Sequence, residues 1–307
     1  METYPRPKLE PNYKLPEEEL LKPGHVACPG CGAALAMRLA LKALGKNTIV
    51  VIPACCWSII AGPFPYSSLD VPLYHTAFET AGSLSSGIAA ALKVLGKEEV
   101  TVMAWAGDGG TFDIGLQALS GAAERNENFI YVCYDNEAYM NTGIQRSSAT
   151  PWLAWTTTTP SDRPKEEPKK DIIAIMAAHR IPYAATATIG YPDDLEMKFR
   201  KAKGIKGTRF IHLLSPCPPG WRAESKDSVK LTRLAVQSKV FPLIEVEHGE
   251  KWRITVWPEK FVPVREYLKL QGRFRHLTEE QIEMIQRNVD EAWEKLLKLV
   301  RESEPCA

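Results

Sequence analysis

The sequence predicts an α/β protein built on a doubly wound, mostly parallel sheet, and three observations carry that prediction. Short apolar, β-branched runs at 48–52, 100–106, 129–134, 183–189 and 209–214 have the length of buried strands. Segments with helical spacing separate them, and strand and helix in strict alternation are the mark of a sheet covered on both faces. Several strands end in glycine-rich or polar loops, where open parallel sheets place their ligand sites.

Composition narrows the class of function. The chain has 307 residues, and 38 Lys+Arg against 37 Asp+Glu leave a net charge of +1. That balance gives nucleic acid or an anionic membrane no electrostatic hold, so neither is an expected partner. The opening 22 residues are rich in Pro, Glu and Lys and lack the basic-then-apolar layout of a secretory signal, so a cytoplasmic location is expected. The most apolar stretch, 49–60, contains Pro53 and falls short of the roughly 20 residues that span a bilayer. Seven cysteines in a chain with no export signal suggest metal or redox use rather than disulfides.

In chain order, a polar arm (1–23) precedes the turn-rich loop Gly24-His25-Val26-Ala27-Cys28-Pro29-Gly30-Cys31-Gly32. A helix is predicted from Ala33 to Leu44, closed by Gly45. Strand 48–52 leads into Ala54-Cys55-Cys56-Trp57. Small residues over 80–95 predict a closely packed helix, strand 100–106 ends at Gly107-Asp108-Gly109-Gly110, and Asp113 is a candidate cap for a helix reaching Arg125. Strand 129–134 ends at Asp135-Asn136-Glu137-Ala138. From 150 to 171 the pattern gives way to Trp, Thr, Pro and mixed charge, which predicts a surface excursion or lid. Helix 171–179, strand 183–189, helix 192–202 and strand 209–214 follow, ending at Ser215-Pro216-Cys217-Pro218-Pro219-Gly220. One domain is therefore expected over 24–220. Residues 221–307 form a C-terminal extension that packs on it or on partner subunits, with a helix at 229–238, strands at 241–247 and 252–256, and a terminal amphipathic helix at 278–300.

Two constellations carry chemistry. Cys28 and Cys31 form C-x-x-C in a glycine-rich loop, Cys55 and Cys56 follow a strand, and Cys217 lies between prolines after the last strand of the domain. If these loops share one sheet edge, four thiols can hold a 4Fe-4S cluster. Structural zinc also takes four cysteines, but its ligands usually come as two close pairs; a thioredoxin-like dithiol lacks the preceding strand. Spacing does not choose between Cys55 and Cys56, and Cys133, inside a strand, reads as an ordinary buried thiol. The second constellation is Gly107-Asp108-Gly109-Gly110 with Asn136, at the ends of consecutive strands. One carboxylate, one amide oxygen and one carbonyl suit magnesium and leave positions for a diphosphate, which the glycines let the backbone approach. Alone, Gly-Asp-Gly is also an ordinary tight turn.

Gly107-Asp108-Gly109 with Asn136 resembles the thiamine-diphosphate motif. Together with His25-Val26-Ala27-Cys28-Pro29-Gly30-Cys31-Gly32, the run from Tyr134 to Ser148 and Pro216-Cys217-Pro218-Pro219-Gly220-Trp221, it resembles the beta subunit of the pyruvate:ferredoxin and related 2-oxoacid:ferredoxin oxidoreductases, from about Gly24 to Leu277. The resemblance implies the thiamine-diphosphate-binding fold of the diphosphate-type domain, with thiamine diphosphate, Mg2+ and one 4Fe-4S cluster as cofactors. Cys28, Cys31, Cys56 and Cys217 would ligate the cluster, which selects Cys56 over Cys55. Asp108, Asn136 and the Ala138 carbonyl would hold magnesium, with Gly107, Gly109, Gly110, Asn141 and Thr142 against the cofactor and Asn141 facing the substrate. The implied reaction is oxidative decarboxylation of a 2-oxoacid with coenzyme A, giving acyl-CoA and carbon dioxide, with electrons passing through the cluster to ferredoxin. Pyruvate is the first expected substrate and 2-oxoisovalerate the second; a non-redox thiamine lyase or decarboxylase with structural zinc is the other class. Implied partners are an alpha subunit supplying the glutamate that activates the pyrimidine, a gamma subunit and a ferredoxin-like delta subunit. Two departures stand out: Asp135 replaces the first Asn of the common Asn-Asn, and Ala33 stands where single-chain relatives often carry Glu. His25, His75 and Glu79 receive no role.

Overall fold

The computed structural model describes residues 16–303 apart from 64; most of the arm (to residue 15) and Cys306 lie outside the described residues. Helix α1 (Gly32–Leu44) leads to β1 (Thr48–Pro53), the short α2 (Trp57–Ile60), β2 (Leu73–Thr76), α3 (Ala81–Val94) and β3 (Thr101–Gly107). After a π-turn at Gly109–Asp113 come α4 (Leu116–Glu124), β4 (Phe129–Asp135), α5 (Ile172–Ala178), β5 (Tyr183–Thr188), α6 (Pro192–Gly204) and β6 (Thr208–Leu214). Then follow α7 (Pro218–Trp221), α8 (Ser228–Gln237), β7 (Ile244–Glu247), β8 (Lys251–Ile254), α9 (Val264–Leu268) and α10 (Glu279–Ser303).

One eight-stranded sheet, in the order β2-β1-β3-β4-β6-β5-β7-β8, carries all the strands. The pairings from β2 through β5 are parallel, and β7 and β8 add an antiparallel edge, so the doubly wound, mostly parallel sheet is the fold observed. Residues facing α1 and α6 (Val50, Ile52, Met103, Trp105, Ile130, Val132) alternate with residues facing α3, α4, α5 and α10 (Val102, Ala104, Ala106, Phe129, Tyr131). This is the period-2 pattern of strands buried on both sides. The order reverses between β1 and β3, since β1 runs on to β2 at one edge while β3 continues to β4 on the other side. The carboxyl ends of β1 and β3, on either side of this switch, are the predicted place for a ligand.

Three local expectations are corrected. Strand β2 was not anticipated, because four residues with an intermediate-exposed-exposed-intermediate pattern leave no apolar signature. Asp113 does not cap α4; it closes the π-turn, and its Oδ2 accepts from the Tyr139 hydroxyl at 2.7 Å and the Ser148 amide at 3.1 Å. The excursion at 150–171 is not simply a surface loop, because Lys165 is 2 % exposed and satisfies its ammonium on the carbonyls of Glu167 and Pro168. Burial pushes that ammonium down to about 8. No helix among the described residues is long and apolar enough to cross a membrane.

Candidate functional site

The strand ends bring both predicted donor sets to one edge. The loop after β3 starts at Asp108, 1 % exposed, and the loop after β4 carries Asn136 and Ala138, 6 % and 3 % exposed. Because β3 and β4 are paired in parallel, with Gly107 opposite Tyr134, Asp108 and Asn136 stand side by side. Two neighbours brace this pair: the Ser147 hydroxyl donates to Asp108 Oδ2 at 2.5 Å, and Thr150 donates to the Glu137 carbonyl at 2.7 Å.

The Asn136 side chain tests whether these groups suit a cation. One end of its amide lies 2.9 Å from the Ala138 carbonyl oxygen and 3.0 Å from Asp108 Oδ1. With nitrogen at that end, the amide donates to both oxygens. With oxygen there, neighbouring oxygens stand at the separations expected for adjacent ligands of an octahedral ion with bonds of about 2.0–2.1 Å, which place them about 2.8–3.0 Å apart. Hydrogen bonding favours nitrogen at that end, and a cation among these oxygens would reverse the preference. Burial, then the neighbouring Asp135 carboxylate, raises the Asp108 carboxyl well above the usual range, the cost that a divalent ion at this position offsets. The donor set therefore fits magnesium.

The space at Gly109 is already filled, since a Cβ there would stand 2.1 Å from the Tyr139 ring. Asn141 and Thr142 lie beyond, in a turn closed by the Tyr139–Gln145 bridge; both are exposed, and the Thr142 hydroxyl donates to Gln145 Oε1 at 2.6 Å. They line the open side of the loop and touch neither Asp108 nor Asn136 through a side-chain hydrogen bond among the described contacts.

The cysteines approach the same edge. Cys31 precedes α1, Cys56 precedes α2 and Cys217 precedes α7. The start of α1 is pressed onto the Cys217 loop: the Gly32 amide donates to the Pro216 carbonyl at 3.0 Å, and a Cβ on Gly32 would stand 2.7 Å from Pro216 Cδ and 2.8 Å from its backbone nitrogen. Only glycine permits that approach. Burial raises the Cys56 thiol strongly, and the nearby Cys217, Cys55, Cys31 and Asp108 add to it. Cys217 is pushed up to about 11 by burial, with Cys31 and Cys28 adding. Cys31 and Cys217 thus lie within electrostatic reach of each other and of Cys28, and both act on Cys56. Yet no three His, Cys, Asp or Glu side chains among the described residues stand close enough to grip one metal ion. A cubane spreads its ligands over four irons, so its cysteines stand farther apart than those around zinc.

Cys55 separates from this set. Its Cβ lies 3.7 Å, and the Tyr134 hydroxyl 3.4 Å, from the position a Cβ would take on Gly107, which puts Cys55 between the two loops. Direct bonds join them as well: the Trp221 indole, four residues after Cys217, donates to the Asn136 carbonyl at 2.8 Å, and the Ser215 amide donates to the Asp135 carbonyl at 2.8 Å. His25, His75 and Glu79 are exposed, and the ring of His25 accepts only from Ala27 two residues on.

Sequence reasoning missed a buried charge network behind the oxygen loop. Asp135 Oδ2 meets Lys169 at 2.5 Å and His212 at 2.7 Å. Glu137 meets Lys169 at 2.8 Å and Arg273 at 2.5 Å. Burial opposes the charge on Asp135, but Lys169 and His212 overcome it and hold the carboxyl at about 2. Arg273, in the basic run Arg273-Phe274-Arg275-His276, is 2 % exposed, its guanidinium stacked 4.1 Å from the centre of the Trp221 ring. An acidic residue at an inner position of a buried loop was the available signal, since it demands buried cations.

Comparisons with known proteins give the family. The family described as the thiamine pyrophosphate enzyme, C-terminal TPP binding domain, matches residues 58–213. The chain is 56 % identical over 301 residues to a ketoisovalerate oxidoreductase subunit of Pyrococcus furiosus, covering 95 % of this chain and 96 % of that one. It is 52 % identical over 286 residues to a pyruvate synthase subunit of Methanothermobacter marburgensis, covering 92 % and 99 %. Among solved structures, a 2-oxoglutarate:ferredoxin oxidoreductase from Magnetococcus marinus shares the fold with a TM-score of 0.57 at 23 % identity, over 70 % of this chain and 79 % of that one. The chain belongs to the thiamine-pyrophosphate-binding beta subunits of the 2-oxoacid:ferredoxin oxidoreductases.

Proposed function

We propose that this beta subunit binds thiamine diphosphate through a magnesium ion at Asp108, Asn136 and the Ala138 carbonyl, and a 4Fe-4S cluster at Cys28, Cys31, Cys56 and Cys217. With its partner subunits it would oxidatively decarboxylate a 2-oxoacid, with coenzyme A as acyl acceptor and ferredoxin as electron acceptor. The observation that carries this reading is the joining of the two donor sets, by the Trp221–Asn136 hydrogen bond at 2.8 Å and by the Ser215 amide donating to the Asp135 carbonyl at 2.8 Å. Thiamine diphosphate supplies a nucleophilic carbon and an electron sink for loss of carbon dioxide, and an iron–sulfur cluster accepts electrons singly.

The chain's own residues would perform four tasks. Asp108 and Asn136 fix the cation and through it the diphosphate, while Gly107, Gly109 and Gly110 carry the backbone past it. Asn141 and Thr142 border the open side where a 2-oxoacid arrives. The four cysteines hold the electron acceptor one loop away, so electrons need not cross solvent. Tyr134 and Cys55 fill the space between the loops and exclude water from it. The carboxylate that activates the pyrimidine would come from a partner alpha subunit.

The relatives carry the word subunit in their names, which supports a complex with alpha, gamma and ferredoxin-like delta chains. Six unpaired cysteines among the described residues suit a reducing, cytoplasmic setting. The 56 % relative acts on ketoisovalerate by name and the 52 % relative on pyruvate, so we place 2-oxoisovalerate ahead of pyruvate, reversing the order expected from sequence. A panel of 2-oxoacids assayed with the anaerobically purified complex, coenzyme A and ferredoxin tests both levels. Ferredoxin reduction that is fastest with 2-oxoisovalerate supports the reading, reduction fastest with pyruvate corrects the substrate alone, and zinc in place of iron with no ferredoxin reduction overturns the function.

A further inference from the structure

Glu137 sits between the proposed magnesium ligands Asn136 and Ala138, yet its backbone is left-handed, with φ 68°. A residue with a full side chain pays for that conformation and keeps it only where its surroundings enforce it. Three sets of contacts enforce it here. From within the loop, Asp135 Oδ1 accepts from the Glu137 amide at 2.9 Å. From the excursion, Lys169 bonds both the Asp135 and Glu137 carboxylates, at 2.5 and 2.8 Å. From the C-terminal extension, Arg273 bonds Glu137 Oε2 at 2.5 Å, itself held by Gln271 at 2.7 and 3.0 Å. Two carboxylates facing two cations leave the buried set balanced, and both anchors arrive from distant parts of the chain. What the turn accomplishes is visible one residue later: it brings the Ala138 carbonyl to 2.9 Å from the Asn136 amide, on the same side as Asp108.

We propose that Lys169 and Arg273 are positioning residues of the cation site: by gripping the Glu137 carboxylate from opposite sides they hold its backbone left-handed and so aim the Ala138 carbonyl at the ion. The inference rests on the proposed assignment of Asp108, Asn136 and Ala138 to magnesium. It makes cation affinity depend on residues that never touch the cation, one in the 150–171 excursion and one in the extension. Outer contacts of this kind typically change metal affinity by about 10–100-fold.

The test uses the purified complex, stripped of magnesium and titrated with Mn2+ in the presence of thiamine diphosphate, following free Mn2+ by electron paramagnetic resonance and folding by thermal melting. Arg273→Lys and Lys169→Met should each weaken Mn2+ binding by about 10-fold or more, with iron content unchanged. The decisive pair is Glu137→Ala and Glu137→Gly. Both remove the carboxylate, but glycine accepts the left-handed backbone without cost. Glu137→Gly should therefore bind Mn2+ more tightly than Glu137→Ala, even where the two melt at similar temperatures. If both bind alike, or if Arg273→Lys and Lys169→Met melt lower while keeping wild-type Mn2+ affinity, the residues are only structural and the proposal fails. Asp108→Asn serves as the separate control: should it retain wild-type Mn2+ affinity, the cation assignment itself is wrong.

Discussion

The oxygen-bearing and sulfur-bearing loops stand at one edge of the sheet but are held in opposite ways. Asp108, Asn136 and Ala138 are buried, and charged side chains brought from 32 and 136 residues away brace the loop that carries two of them. Residues 22–30 are exposed apart from the half-buried Ala27, Cys28 included, and main-chain contacts fix their course. The Cys31 amide donates to the Cys28 carbonyl at 3.1 Å, the Gly32 amide to Pro216, and the Ser228 hydroxyl to the Gly30 carbonyl at 2.7 Å. The contrast is the one expected of the proposed ligands. A hard cation would ask for oxygens in strict octahedral order, which buried charge around its loop would secure. Thiolates bonded covalently to iron would need only to be delivered to the right region, for which a backbone clamp is enough.

The largest effects should separate the two regions cleanly. Cys56→Ser is expected to lose most of the bound iron while retaining thiamine diphosphate within about twofold of wild type, because Cys56 contributes nothing to the oxygen site; iron analysis and cofactor retention after gel filtration measure both. Asp108→Asn is the mirror case: cation-dependent cofactor retention falls by about 100-fold or more while iron content stays the same. Loss of both cofactors in either variant would mean that the loops form one cooperative unit rather than two sites.

Steric probes come next. Ala at Gly109 places a methyl 2.1 Å from the Tyr139 ring, and Ala at Gly32 places one 2.7–2.8 Å from Pro216. Each should cost about 1–3 kcal/mol of stability by overpacking. Gly109→Ala should weaken thiamine diphosphate binding and spare the iron, whereas Gly32→Ala should do the reverse.

The smallest effect lies away from both regions and calibrates them. At the antiparallel edge the Glu245 carboxyl is opposed by burial but held at about 2 by Tyr183, Lys201 and Arg253. Its folded pKa lies below its unfolded value of about 4.3, so its contribution is complete above that value and disappears as pH falls toward 2. Glu245→Gln should thus melt below wild type at pH 7, by an amount equivalent to roughly 2–3 kcal/mol at most. The two melting curves should converge near the acid end; a gap that persists there would remove Glu245 as its source.

The sheet was legible because six of its strands are parallel, and all but the short β2 are short runs dominated by apolar residues with helical segments between. The donor residues were legible because cysteine, aspartate and asparagine at strand ends carry chemistry in their identity. Lys169 and Arg273 were not, because a lysine in a charged run and an arginine among basic residues look the same in sequence whether solvated or buried. Asp135, which departs from the common motif, gains a reason from the structure, since a carboxylate can pair with Lys169 and His212 where an amide could not.

Magnetic coupling between the two proposed centres tests the account most directly. In the complex loaded with Mn2+ and thiamine diphosphate, reduction of the cluster should speed the spin relaxation of bound Mn2+, because the Trp221–Asn136 hydrogen bond joins the cysteine and oxygen loops; the effect should vanish in Cys56→Ser. Mn2+ relaxation that stays the same in oxidised and reduced wild-type complex, with both centres occupied, would contradict it.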